Sequence, residues 1–107
     1  MPSAVEQTFA ALADPTRIEI VTQLSRGSAS VSELASPHPM SLRAVLKHVQ
    51  VLEAAGLVRT VKDGRTRRCS LDTARIDSAT RWMDQVRQRW TGRLDRLEQY
   101  AQDGDTP

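Results

Sequence analysis

The sequence is poor in several features, and each scarcity removes a class of protein. It holds one cysteine, Cys69, in 107 residues, so no internal disulfide can form and a disulfide-stapled secreted domain is excluded. No apolar stretch approaches the roughly 20 residues that span a bilayer. The N-terminus has no basic segment followed by an apolar run, so no signal peptide is expected. Two histidines and one cysteine are too few and too scattered to gather the several ligands of a metal site. A phosphate-binding glycine loop, a nucleophile elbow and a convincing acid pair are also missing. No enzymatic chemistry, metal or other cofactor is therefore expected. Nor does the formal net charge of +2 by itself point to nucleic acid. The expectation is a soluble, cytoplasmic protein with no membrane partner, one domain over residues 1–107. A chain this short buries a modest core, so association with a second copy would help it.

What is present is a run of helical stripes separated by clear stop signals. Val5, Phe9 and Leu12 fall at i, i+4, i+7, one face of a helix that should end near Ala13. Asp14-Pro15 starts a second helix, with Asp14 as N-cap and Pro15 at the first position, where its missing donor costs nothing. Ile18, Val21 and Leu24 give that helix an apolar face, broadened by Ile20, and Gly27 can end it just past Arg26. Ser30 and Glu33 match a capping box at the head of a short third helix. Ser36-Pro37-His38-Pro39-Met40 cannot continue it. Ser41 then caps a fourth helix to about Ala55, closed by Gly56. Leu57–Lys62 reads as a strand, Asp63-Gly64 as a two-residue hairpin turn, and Arg65–Leu71 as the return strand. From about Thr73 to Ala101, apolar residues recur at steps of three or four, enough for a partner helix. Gly92 is a weak point inside that run. The segments Met1–Ser3 and 102–107 are expected to be loose. The fold class is mostly α with a small β-hairpin, in the order helix, helix, helix, helix, hairpin, helix. It is a helix-turn-helix with a wing: a core at about 5–71 and a C-terminal helix at about 73–101.

The chemistry lies in the fourth helix and the hairpin. At 100° per residue, Val45, Val49 and Leu52 fall within about 60° of one another and face the core. Arg43, Lys47, Gln50 and Ala54 fall on the opposite side, two cations and an amide that can bond phosphates or base edges. Alone, such a face is an ordinary solvated one. The turn before it and the hairpin after it favour DNA. The hairpin holds Arg59, Lys62, Arg65, Arg67 and Arg68 against a single acid, Asp63. A charged edge that discourages aggregation would serve equally well with mixed signs, so the one-sided sign points to phosphate. If the turn pairs Lys62 with Arg65, then Thr60, Lys62, Arg65 and Arg67 share one face, continued inward by Val58 and Cys69. His48, near the core direction, is expected to pack or make a structural hydrogen bond. His38 has no obvious partner. Cys69 is expected to act as a small buried hydrophobe; the sharper reading is a redox-sensing thiol made acidic by the arginines. Trp82, Met83, Val86, Trp90, Leu94 and Leu97 form an intersubunit seam, with Val5, Phe9 and Leu12 beside it.

These residues resemble a known family. Asp14-Pro15-Thr16-Arg17-Ile18, the block from Ser41 to Val58, and Gly64-Arg65 through Leu71 are similar to the second helix, recognition helix and wing of ArsR-type (arsenic-repressor) winged-helix regulators. The resemblance runs from Val5 to Tyr100. It implies a homodimer on an inverted-repeat operator, usually as a repressor in a bacterium or archaeon. It implies DNA contacts at Ser41, Arg43, Ala44, Lys47 and the wing arginines, and a dimer interface on the first and last helices. The cysteine-rich third helix and the His/Asp ligands of metal-sensing members are missing, and the ending from Trp90 to Leu97 resembles a non-metal subgroup. Leu46 stands where a serine is common; it can meet a thymine methyl or pack at the helix flank. Two competing readings remain: a winged-helix protein-interaction module, and a regulator that answers to thiol oxidation or a small molecule. The effector is unknown from sequence.

Overall fold

The structure, a computed structural model, describes residues 3–104; Met1, Pro2 and residues 105–107, expected to be loose, lie outside the described residues. Among the described residues the order is α1 (Ala4–Leu12), α2 (Pro15–Leu24), β1 (Ala29–Ser30), α3 (Val31–Ala35), α4 (Leu42–Ala54), β2 (Val58–Asp63), β3 (Thr66–Leu71) and α5 (Ala74–Gly104). The expected class is borne out, with one strand added. The two residues of β1 join the hairpin, giving an antiparallel sheet of order β1-β3-β2.

The local signals act where they were read. Asp14 accepts the Arg17 N–H at 3.0 Å, with Pro15 opening α2. Ser30 and Glu33 close their capping box around the head of α3. Ser41 accepts the Ala44 N–H at 3.1 Å, and Gly56, at φ +78°, lets the chain leave α4. Ser3 is not loose: its hydroxyl accepts the Glu6 N–H and caps α1. Helix α2 ends at Leu24 rather than Arg26, because the Arg26 and Gly27 N–H groups bond the Gln23 and Leu24 carbonyls three residues back, a tighter turn than the α-helix. At the other end of the chain, α5 continues past Ala101 to Gly104.

The core gathers Ile20, Leu24, Val31, Leu34, Val45, Val49, Leu52, Leu57, Val58 and Cys69, so α2, α3, α4 and the sheet share one interior. On α2 the inward residues are Ile20 and Leu24; Ile18 is half exposed, and Val21 is only partly covered. Periodicity alone did not separate two isoleucines two positions apart, and the packing of α2 against α4 did. Among its described residues, helix α5 contributes only Ala79 to the buried set, and it runs on with little of the chain against it. Its Gly92 has open space where a Cβ would stand. Gly92→Ala should therefore raise stability by roughly 0.5–1 kcal/mol through helix propensity. Urea unfolding of the two proteins checks this, and an unchanged or lower midpoint would contradict it.

Candidate nucleic-acid interface

Helix α4 is oriented by its own stripe. Val45, Val49 and Leu52 are completely covered, which turns Arg43, Lys47 and Gln50 outward; all three are exposed, as is Ser41, while Ala44 is half-buried. The helix is also tied to α1 and α2. The Arg17 guanidinium donates from Nε to the Ala11 carbonyl at 2.6 Å and lies 3.3 Å, through Nη1, from Nδ1 of His48 on α4. Arginine can only donate, so Nδ1 is the acceptor in this contact. The Asp14 carboxylate stands 3.8 Å from the same Nδ1. His48 thus makes the structural contact expected of it. Asp14 has its pKa lowered, first by the Arg17 N–H it accepts and further by the nearby Arg17 guanidinium. A carboxylate with a depressed folded-state pKa stabilises above the ordinary carboxylate range and loses that contribution as pH falls through the folded value. Asp14→Ala should accordingly lower the melting temperature at pH 7, and the gap should narrow toward pH 3. A gap that widens in acid would refute the assignment.

The hairpin turns differently from expectation. Asp63 pairs with Thr66 and Lys62 with Arg67, so the two-residue turn is Gly64-Arg65, not Asp63-Gly64. Gly64 has φ +63° and no other residue type among the described residues has positive φ, the pattern of a type II′ turn with glycine first. The correction shifts the pairing by two residues, and a slip of two keeps every side chain on its face. Val58, Thr60 and Lys62 therefore still share a face with Arg67 and Cys69, while Arg65 moves to the tip.

The cations of the hairpin divide by partner. Arg59 contacts the Asp72 carboxylate at 3.2 Å, which also caps α5 through the Ala74 N–H. Asp72 is held below the usual carboxylate range by that N–H first and by Arg59 second. Arg68, on the opposite face from Arg67, donates to Ser28 at 3.2 Å and lies 3.7 Å from Glu33. Arg67 reaches only the Thr60 hydroxyl, at 3.4 Å, and Thr60 itself donates to Glu53. Among the described residues no ion pair engages Arg43, Lys47, Lys62, Arg65 or Arg67. Arg65 and Arg67 border the same groove as Leu42 and Leu46 at the head of α4, so the tip of the wing stands beside the start of the helix that carries Arg43 and Lys47.

Sequence reasoning missed three features of this region. His38 does have partners: Nε2 meets the Gln23 amide oxygen at 3.0 Å and Nδ1 the Glu19 carboxylate at 3.5 Å. Residues 15 and more apart in sequence give no local signal of such contacts. Leu42, half exposed at the start of α4, was overlooked because it lies off both the core stripe and the polar face. The pairings of Arg59 and Arg68 were also missed, since both depend on the tertiary path. Cys69 is fully covered and its thiol is pushed up by burial, with Glu53 adding to the shift and Arg67 opposing it. Deprotonation is thereby disfavoured, which supports the buried-hydrophobe reading over the sensing thiol. Among the described residues no three of His, Cys, Asp or Glu stand close enough to hold a metal ion.

Helix α5 carries an exposed apolar row at the positions expected to pair two copies. Trp82, Met83, Val86, Trp90, Leu94 and Leu97 are all exposed along α5, and Tyr100 extends the row. Phe9 of α1 meets Trp82 edge-on with ring centroids 5.8 Å apart; Val5 and Leu12 are half-buried on the same helix.

A short recognition helix oriented by its core stripe, a turn before it and a basic hairpin after it define a winged helix-turn-helix DNA-binding regulator. A family model described as a helix-turn-helix domain matches residues 12–61. The chain is 36% identical over 89 residues to the HTH-type transcriptional regulator Rv2034 of Mycobacterium tuberculosis, covering 83% of this chain and 80% of that one. It is 25% identical over 79 residues to the transcriptional repressor SdpR of Bacillus subtilis, covering 74% of this chain and 88% of that one. A crystal structure of an ArsR family transcriptional regulator matches with a TM-score of 0.79 at 40% identity, over 85% of this chain and 94% of that one. The chain belongs to the ArsR family of helix-turn-helix transcriptional regulators. No helix among the described residues is long and apolar enough to cross a membrane.

Proposed function

We propose that the protein is a homodimeric repressor that binds a near-palindromic, inverted-repeat operator in double-stranded DNA. The observation that carries this is the set of exposed cations that, among the described residues, have no acidic partner: Arg43 and Lys47 on the outward face of α4, and Arg65 and Arg67 on the hairpin, where they border a groove whose α4 side is Leu42 and Leu46. Helix α4 lies in the major groove. There Arg43 and Lys47 donate to guanine edges and Gln50 pairs with adenine, while Ser41 and Ala44 sit at the close-approaching helix start. Lys62, Arg65 and Arg67 hold phosphates, which set register without reading sequence. Arg68 joins them only by exchanging Glu33 for a phosphate. The α5 seam, with Val5, Phe9 and Leu12 of α1 beside it, pairs two copies so that their recognition helices stand about 34 Å apart, one turn of DNA. The whole chain is then one module, working at the chromosome in the cytoplasm. Repression is favoured over activation by the likeness to a named repressor. Classical-type metal sensing has no support in the described residues, and the effector of this protein is a separate question from its DNA site.

A gel shift with DNA from upstream of the protein's own gene tests the reading. Specific complexes of this kind are about 10³–10⁷ tighter than non-specific ones, so a hundredfold excess of random duplex should leave the complex intact. Equal displacement by random DNA would overturn the proposal and leave the protein-interaction module. Arg43→Ala should change the preferred base at one position per half-site and cost about 1–3 kcal/mol there. Selection from a random library checks this; uniform weakening across sequences would make Arg43 a backbone contact instead.

A further inference from the structure

Leu42 and Leu46 stand one helical turn apart at the head of α4. Leu42 is 53% exposed, although it is a large apolar residue on the element that approaches DNA first. Leu46 is partly buried and packs against the core at its inner end. Together with Val31 they make the apolar floor of a groove of about 260 Å³, walled on the hairpin side by Arg65 and Arg67. Around the helix the next residues outward are Arg43 and Lys47, both exposed. The apolar strip thus has the cations of the wing on one side and is followed around the helix by those of α4, a charge that fits a polyanion.

These flanking cations say what covers the strip. A duplex held by those cations brings base edges, sugars and phosphates to the head of α4. On the major-groove side of the base pairs, the apolar group is the 5-methyl of thymine or of a methylated cytosine. A phosphate or a base amide set against Leu42 would lose water without gaining a hydrogen bond. A methyl group loses nothing and removes apolar surface from water on both partners. We infer that Leu42 and Leu46 are specificity-determining residues that select a 5-methylpyrimidine, thymine in ordinary DNA, at one position in each half-site. This rests on the DNA-binding function proposed above and adds to the hydrogen-bonding readers, Arg43, Lys47 and Gln50, a reader of shape and apolarity. Burial of one methyl group is worth about a fourfold change in affinity, and two half-sites act together. Loss of both methyls should therefore weaken the dimer roughly tenfold or somewhat more.

The test uses the full chain and a duplex chosen by selection from a random library. Each thymidine of the selected site is replaced, symmetrically in the two half-sites, by deoxyuridine, which lacks only the methyl group. One position should show a loss of roughly tenfold, and 5-methylcytosine placed there should bind better than cytosine. In Leu42→Ala, a change on an exposed residue that leaves the core untouched, the penalty at that position should shrink toward unity while Arg43-dependent base preferences persist. A flat deoxyuridine scan overturns the inference and leaves the operator-binding function standing. A penalty that remains undiminished in both Leu42→Ala and Leu46→Ala overturns it as well, because the methyl is then read elsewhere. Failure of the library to enrich any sequence overturns the DNA-reading function and this inference with it.

Discussion

Replacing Trp90 with glutamate is expected to yield a folded monomer whose affinity for an inverted-repeat site is lower by a factor of about 10²–10⁴. Trp90 is 59% exposed and takes no part in the buried core, so the change leaves the folding of one chain alone. In the proposed dimer the same position lies in the middle of the seam, between Val86 and Leu94. A carboxylate there would be stripped of water in both copies at once, with no cation assigned to it. The affinity loss follows from geometry. When two recognition helices are held together, the second half-site is bound at an effective concentration set by the dimer rather than by free protein. Sedimentation equilibrium and a gel shift on the same sample check both halves of the expectation. A dimer of unchanged mass would show that the seam is not the interface. A monomer of unchanged affinity would show that pairing does not matter for DNA.

The triple replacement of Lys62, Arg65 and Arg67 by alanine should have an effect of similar size, but of a different kind. Each phosphate contact releases a counterion, and the slope of log K against log salt changes by about 0.9 per contact on duplex DNA. Three cations in each copy of a dimer should make the slope shallower by about five, with the loss greatest at low salt. The preferred sequence should stay the same, since these residues hold the backbone. All three are exposed, and the ladder beneath them rests on Val58 and Cys69, so the hairpin should survive. An unchanged salt slope would remove the wing from the interface. A changed sequence preference would make it a reader of bases.

Much of the fold was legible because its determinants are local. Asp14-Pro15, Ser30 with Glu33, Ser41 and Gly56 each act within four residues, and the structure shows each at the end of a helix. The stripe of Val45, Val49 and Leu52 was legible because a helix repeats its face predictably. What escaped depends on partners distant in the chain. Strand β1 is only two residues long and exists through its pairing with Cys69 and Arg68. Arg68 reads as a free wing cation until Ser28, 40 positions away, is brought beside it. His38 finds Glu19 and Gln23 only when the turn folds back on α2. The site was legible as a set of cations, but their division into paired and unpaired was not, because that division is made by the tertiary path.

The Gly64-Arg65 turn carries a consequence for how the reach of the wing can change. Its strands meet rung by rung, with Asp63 opposite Thr66 at the end. A pair of residues added at the tip lengthens the ladder by one rung, about 3.4 Å, and leaves Lys62 and Arg67 facing as they do. A single added residue has no place in the ladder and must be absorbed as a wider loop or a bulge. The span of the wing along a DNA backbone is thus adjustable in discrete increments. Such insertions and deletions can accumulate in twos without disturbing α4, which gives this protein a way to vary grip and letter-reading separately.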